Sequence, residues 1–232
     1  MSDELGFMPA TDAVELIRTK KLSPVEYLTG ILKRIETHEP RVNAFAHLGA
    51  DQAMDAARAA EKALMGSGRI GRLHGIPVTI KDLAITKDMP TQNGSLIFKG
   101  NQPKEDTPII DRFRDAGAVV IGKTTTSEFG WTGVSRSPLT GITHNPWKHG
   151  MNAGASSAGA GAAAAAGFGP LHQGSDGAGS VRMPSHFCGI FGLKPSFGRV
   201  PYYPVGTGDV TSHIGPMTRA VADSALMLEV MA

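Results

Sequence analysis

The sequence holds a single cysteine, Cys188, in 232 residues. One thiol excludes an intrachain disulfide and the cysteine-rich zinc patterns, and it agrees with a reducing, cytoplasmic setting. Flanked by Phe187 and Ile190, with no activating neighbour in sequence, it reads as a buried structural thiol. An excess of one charge is also lacking: 23 Lys and Arg stand against 21 Asp and Glu, for a formal net charge of +2. The two signs are interspersed, so there is no basic stripe of the kind that binds nucleic acid directly. Long apolar runs are missing as well. No stretch of about 18 residues is apolar throughout, so no transmembrane helix is expected, and the alanine run after Gly161 is too short to span a bilayer. The opening MSDELGFMPA has neither a basic n-region nor an apolar core, so no signal peptide is expected. The chain is long enough to bury a core as one large domain or two small ones.

What is abundant is small residues, and they concentrate between Gly154 and Pro195. Two serine-bearing turns lie there, GASSAG at 154–159 and SDGAGS at 175–180, separated by an alanine-rich segment. Glycine lets backbone N–H groups approach a ligand closely. That arrangement serves either phosphate binding at a helix N-terminus or oxyanion stabilisation beside a nucleophile.

Around this stretch the chain alternates helical and extended patterns. Thr11 is a candidate cap for a helix through Ala13, Val14, Leu16 and Ile17. Ser23, Pro24 and Glu26 form a capping-box start for a second helix, which the sequence ends at a turn around Pro40. A third helix is expected from about Ala50 to Leu64, and the GSGRIG at 66–71 reads as a loop because it follows a helix instead of a strand. GAGAAA at 159–164 fits the looser dinucleotide pattern, but no clear strand leads into it. Residues 1–70 are thus an N-terminal helical segment. Ile76 to Ile80 and AVVIG (118–122) read as buried strands, with a helix opened by Thr107-Pro108 between them. Ala160 to Ala166 predict a thin buried helix. Val181 to Phe187 open another, residues up to Pro216 are turn-rich, and a last helix has Val221, Ala225 and Leu228 on one stripe. This rhythm gives an α/β fold with at least partly parallel strands.

Serine needs a base to act as a nucleophile. His172, His186 and His213 are nearest in sequence to the two turns, but the G-x-S-x-G elbow of the α/β-hydrolases is absent. Lys81, directly after the Ile76–Ile80 strand, has two readings. It snorkels to the surface or pairs with Asp82, or it is a buried lysine whose lowered pKa makes it a base. Ser156 and Ser180 likewise read as turn or cap residues or as parts of a serine–lysine site.

The pieces LHGIPVTIKD (73–82), GKTTTSEFGW (122–131), NPWKHGMNAGASSAGA (145–160), GSDGAGSVRMPSHFCGIFGLKPSFGRVP (174–201) and HIGPMTRAVADSALMLEVMA (213–232) resemble, in order, the N-terminal half of the amidase signature hydrolases. The resemblance implies a mixed twisted sheet with helices on both faces, incomplete at its C-terminal end, with residues 71–232 forming the N-terminal half of the core. It implies hydrolysis of a carboxamide C–N bond through a Ser–cisSer–Lys triad: Ser180 as nucleophile, Ser156 as bridging serine after a cis peptide bond, Lys81 as base. The backbone N–H groups of Gly177, Ala178, Gly179 and Ser180 correspond to the oxyanion hole, and Ser157, Asp176 and Arg182 to supporting, loop-fixing groups. No cofactor and no metal is implied. The implied partner is a small-molecule amide, with a second copy or a complementing C-terminal half as the protein partner. The family usually has glycine at 155, 158 and 178, where this sequence has alanine, which requires either negative φ at these positions or tolerated strain. The alternatives are a non-catalytic binding or assembly module, a glutamine-hydrolysing amidotransferase A-type subunit and, on the glycine matches alone, a nucleotide binder. Against the amidotransferase, TTSEF (125–129) stands where its subunits carry Asn-Met-Asp-Glu-Phe.

Overall fold

The computed structural model describes residues 2–66, 70–205 and 209–232. The chain begins with α1 (Ser2–Phe7), α2 (Ala10–Arg18) and α3 (Pro24–Val42), then β1 (Phe45–Leu48) and α4 (Ala50–Met65). β2 (Pro77–Lys81), α5 (Pro108–Asp115) and β3 (Val119–Thr124) follow. Two small hairpins come next, β4 (Arg136–Ser137) with β5 (Gly141–Ile142) and β6 (His144–Asn145) with β7 (Lys148–Asn152). The second half of the fold is α6 (Ala158–Ala166), β8 (Leu171–Asp176), α7 (Arg182–Cys188), β9 (Phe191–Gly192), β10 (His213–Thr218) and α8 (Val221–Met231).

Six strands form one mixed sheet in the order β1-β3-β2-β8-β10-β9. The centre is parallel: β2 pairs with β3 on one side and with β8 on the other. The edges are antiparallel, β1 against β3 and β10 against both β8 and β9. Every residue of β2 and β3 is buried, of either parity, so both faces of the central sheet are covered. One core cluster joins Ile17, Leu28, Ile31 and Ile35 of the N-terminal helices to Ile76, Val78, Ile80, Ile121 and Phe168. The segment 1–70 is therefore not only helical, because its β1 closes one edge of the sheet.

Ser23 caps α3 as expected, its Oγ accepting from the N–H groups of Val25 and Glu26 at 3.0 and 3.2 Å. The turn expected at Pro40 is a correction. α3 continues through Pro40 and stops only at Asn43, which takes a left-handed φ of 55°. Thr11 does not cap α2, which starts at Ala10 after Pro9. Instead its N–H and hydroxyl both donate to Asp223 of α8, at 3.0 and 3.2 Å. That contact also corrects the expected stripe of α8. Asp223, Ser224, Met227 and Met231 face inward, while Val221 is exposed. The turn-rich reading up to Pro216 is corrected too, for Pro216 lies inside β10. Its carbonyl accepts from Leu193 N–H at 3.1 Å on the β9 side. The missing proline N–H points to that same side, so pairing with β8 is untouched. The GSGRIG loop at 66–71 lies partly outside the described residues. α6 is buried on nearly every side, as a helix that is apolar all round must be.

Candidate active site

Three segments deliver the site to the C-terminal ends of the central parallel strands. β2 ends on Lys81, whose side chain is fully buried. Its Nζ lies 2.6 Å from Ser156 Oγ, 3.0 Å from Ser175 Oγ and 3.4 Å from the Ser175 carbonyl. Lys81 therefore neither snorkels nor pairs with Asp82. That carboxylate instead accepts the N–H groups of Gln92 and Gly94. Burial pulls the Lys81 ammonium down to about 7, against the opposing attraction of Asp176.

Ser156 follows a cis peptide bond from Ala155, in the turn that leads into α6. Gly154 opens this turn with a φ of 77°, and a Cβ there would lie 2.6 Å from Pro184 Cα. Ala155, Ala158 and Ala178 all lie outside the positive-φ set, as alanine at these positions requires. Ser157 precedes α6 without capping it. Its Oγ donates to the Ser175 carbonyl at 3.1 Å and accepts Ser175 N–H at 3.2 Å, stitching the turn to β8. Its own N–H donates to the Ser180 carbonyl at 3.3 Å, so the two serine turns are joined backbone to backbone.

Ser180 stands just before α7. It is half-buried, and among the described residues its hydroxyl has no hydrogen-bond partner. The turn before it is organised by Asp176, the last residue of β8. One carboxylate oxygen accepts Gly179 N–H at 2.7 Å, and the other accepts the N–H groups of Val181 and Arg182 at 3.1 and 3.3 Å. Asp176 thereby caps a helix whose first N–H groups have no partner of their own. Pro184, in the first turn of α7, gives up no helical bond there. Burial pushes the Asp176 carboxyl up, but Arg182 and these backbone donors outweigh it and hold the group well below the usual range.

Of the four backbone donors expected to face an oxyanion, Gly179 N–H is thus committed to Asp176. The N–H groups of Gly177, Ala178 and Ser180 have no acceptor among the described residues. The histidines do not join the serines. His172 is buried between Thr79 Oγ1 and the Gly169 carbonyl, and burial together with Arg219 lowers its pKa to about 3. His213 Nδ1 meets the Thr211 carbonyl at 2.6 Å, and His186 packs beside Phe187. Cys188 is buried with Sγ against the Ala153 carbonyl, and burial pushes the thiol up to about 12.

Sequence reasoning missed three polar groups here. Ser175 holds Lys81, and its place next to Asp176 inside the second serine turn was the available signal. Lys123 on β3 is buried, donates to the Ala84 carbonyl, Thr86 Oγ1 and Thr91 Oγ1, and is lowered by burial to about 8. Like Lys81 it follows a β-branched run. Gln173 on β8 receives Lys81 N–H at 2.9 Å, and no local pattern marks it.

A cavity of about 260 Å³ opens onto Lys81, lined by Leu83, Phe129, Gln173, Ser175, Tyr202 and Ile214 among others. A larger, open depression of about 800 Å³ runs along residues 128–141 and shares only Phe129 with the first; neither is lined by Ser156 or Ser180. The smaller one bears on the chemistry because it reaches the lysine. Among the described residues no cluster of three or more His, Cys, Asp or Glu is placed to hold a metal ion. No described helix is long and apolar enough to cross a membrane.

The family model described as Amidase matches residues 26–232. An acylamidase of Rhodococcus erythropolis is 43% identical over 230 residues, covering 98% of this chain and 48% of the relative. The A-type subunit of the glutamyl-tRNA(Gln) amidotransferase of Chloroflexus aurantiacus is 40% identical over 230 residues, covering 99% of this chain and 47% of the relative. A solved bacterial aryl acylamidase of the amidase signature family superposes with a TM-score of 0.91 at 31% identity, over 97% of this chain and 47% of that one. The chain spans about half the length of the curated relatives it matches. A family match over most of the chain, similar relatives and a superposable fold meet in one assignment: the chain belongs to the amidase signature family.

Proposed function

We propose that this chain carries the catalytic half of an amide hydrolase, with Ser180 as nucleophile, Ser156 as proton bridge and Lys81 as base. The observation that carries the reading is the 2.6 Å contact between the buried Lys81 Nζ and Ser156 Oγ. A fully buried amine lowered to about 7 is neutral in a large fraction of molecules near neutral pH, so it can accept a proton. Ser156 passes its proton to Lys81 and takes one from Ser180. Ser180 Oγ bonds to the carbonyl carbon of the amide. The developing oxyanion lies toward the free N–H groups of the 177–180 turn, where fixed dipoles stabilise charge without reorganising. Collapse breaks the C–N bond, and the relayed proton leaves on the amine. Water attacks the Ser180 ester and releases the acid, which restores the three side chains. Asp176 and Arg182 hold the turn and take no part in bond-making. The cavity lined by Tyr202, Phe129 and Ile214 takes the substrate.

The second reading is a glutamine-hydrolysing subunit. Its support is the 40% identity to the A-type subunit of an amidotransferase, and TTSEF (125–129) weighs against it. A serine-reactive fluorophosphonate tests the main reading. Labelling of Ser180, located by mass spectrometry and lost in Ser180→Ala and Lys81→Ala variants that keep the wild-type circular dichroism, supports it. A folded wild-type chain that takes no label refutes it for this chain. Ammonia release from glutamine, with simple amides left intact, favours the second reading.

A further inference from the structure

The parallel pairing of β2 with β8 stops early. It covers Val78 with Leu171 and Thr79 with His172, although β2 continues to Lys81 and β8 to Asp176. On its other side β2 stays paired with β3, across one register shift between Val78 and Thr79, as far as Lys81 and Thr124. Past Thr79, therefore, the β2–β8 ladder ends, and beyond that point the Lys81 amine meets Ser156 and Ser175.

Such a gap strands backbone donors. Asp82 N–H turns to the β3 side and finds the Thr124 carbonyl at 3.0 Å. Lys81 N–H faces the β8 side, where the ladder has ended. A buried N–H left unpaired there carries the full desolvation penalty of the group. Gln173 fills the position. Its Oε1 accepts Lys81 N–H at 2.9 Å, and its Nε2 donates to the Gly174 carbonyl at 2.9 Å. The side chain is 1% exposed. It lines the cavity, yet its acceptor oxygen and one amide hydrogen are engaged by backbone on the two facing strands. That engagement separates a role in holding the strands from a role in binding substrate.

We propose that Gln173 is a positioning residue for Lys81: its side-chain amide replaces the missing rung between β2 and β8 and fixes the end of β2 so that the lysine meets Ser156. The proposal rests on the reading of Lys81 as base. Without the rung, the backbone at the end of β2 is tied to β3 alone, and only the lysine's own head-group bonds to Ser156 and Ser175 resist its displacement. Misplacement of a catalytic group by about 1 Å costs on the order of 100-fold in rate.

The test uses the 232-residue chain with Gln173→Leu, which keeps bulk and removes both bonds, and Gln173→Asn, one methylene too short to reach Lys81 N–H. Thr79→Val is the control. It removes the Thr79–His172 bond on the same strand pair and leaves Lys81 N–H alone. Two quantities are measured: the rate of fluorophosphonate labelling at Ser180, and the titration of the Lys81 amine by NMR on isotope-labelled lysine, assigned with Lys81→Met. Asp176 is the charge that faces this amine. In the Gln173 variants we expect labelling to slow by about 10- to 100-fold and the Lys81 midpoint to rise from its wild-type position toward the solvent value, with neither change in Thr79→Val. A Lys81 midpoint unchanged in both Gln173 variants, or moved equally by Thr79→Val, overturns the proposal. The titration decides the matter even if the wild-type chain takes no label, so failure of the enzyme reading stays distinct from failure of this one.

Discussion

The Arg182 guanidinium grips the Asp176 carboxylate with two hydrogen bonds, Nε to Oδ2 at 3.0 Å and Nη2 to Oδ1 at 2.9 Å. The partners differ in setting: Asp176 is 1% exposed, whereas the Arg182 side chain is 56% exposed. Solvent screens the pair from one side, so the three backbone N–H groups held by the same carboxylate matter more than the ion pair. Asp176→Ala strands those donors. It is expected to lower the unfolding free energy by about 2–3 kcal/mol, read as a fall in the urea midpoint, whereas Arg182→Ala lowers it by under about 1 kcal/mol. Equal losses in the two variants would contradict this ranking.

The depressed Asp176 carboxyl also sets an acid limit. Its pKa lies below the unfolded value of about 3.9. Its contribution is therefore complete above that value and is lost as pH falls through the lower folded value. Asp176→Asn should erase this part of the acid-side decline in Tm, visible as a smaller gap from wild type at pH 3 than at pH 6.

Lys81 behaves in the opposite sense. Its folded value of about 7 lies below the ordinary 10.5. Between these limits the unfolded chain binds the extra proton, so wild-type stability rises with pH across the window. Lys81→Met removes the buried amine. The variant should melt higher than wild type at pH 6, with the advantage shrinking toward pH 10, and it should take no fluorophosphonate. A variant that melts lower than wild type at every pH would show that the amine's hydrogen bonds outweigh its desolvation.

Under the proposed mechanism the same titration governs the rate. Only the neutral amine accepts a proton, so Ser180 labelling should fall about tenfold per pH unit below a midpoint near 7. A rate profile flat across that region would remove Lys81 from the reaction.

Two glycines outside the chemistry make a contrasting pair. A Cβ on Gly159 would lie 2.2 Å from the Ala44 carbonyl oxygen and 2.4 Å from Thr125 N, both backbone atoms that cannot yield. Gly159→Ala should cost about 3 kcal/mol or more, since α6 must lift off β3. Gly100 has φ of 76° with nothing near its Cβ position, and Gly100→Ala should cost only about 1 kcal/mol of backbone preference. Thermal melts of the two variants check the difference.

What could be read from the sequence was what local chemistry decides. Ser23-Pro24 and Thr107-Pro108 started helices where expected, and the β-branched runs before Lys81 and Lys123 became the buried central strands. The serine turns announced themselves by glycine and alanine density, but the pairing of Lys81 with Ser156 was legible only through the family resemblance. Proline was misread twice, at Pro40 inside α3 and at Pro216 inside β10, because one lost donor does not end an element that its other hydrogen bonds and packing hold. Asp223 and Gln173 were invisible. Each serves a backbone N–H on an element remote in sequence, and no local pattern reports which element packs alongside.

The sheet order bears on how the molecule comes together. Thr79 and His172 are 93 residues apart yet bonded on adjacent strands, and β8 enters between β2, made long before it, and β10, made after it. The parallel β2–β3 unit with its helices can assemble from contacts closer along the chain. Lys81, Ser156 and Ser180 share one place only after the later strand has found its slot. Loop closure must be met before such a pairing is rewarded, which slows domains dominated by distant contacts. The Lys81 amine therefore gains its full burial only once β8 and the serine turns are in place, whereas Lys123, bonded to Ala84, Thr86 and Thr91, draws on contacts closer along the chain.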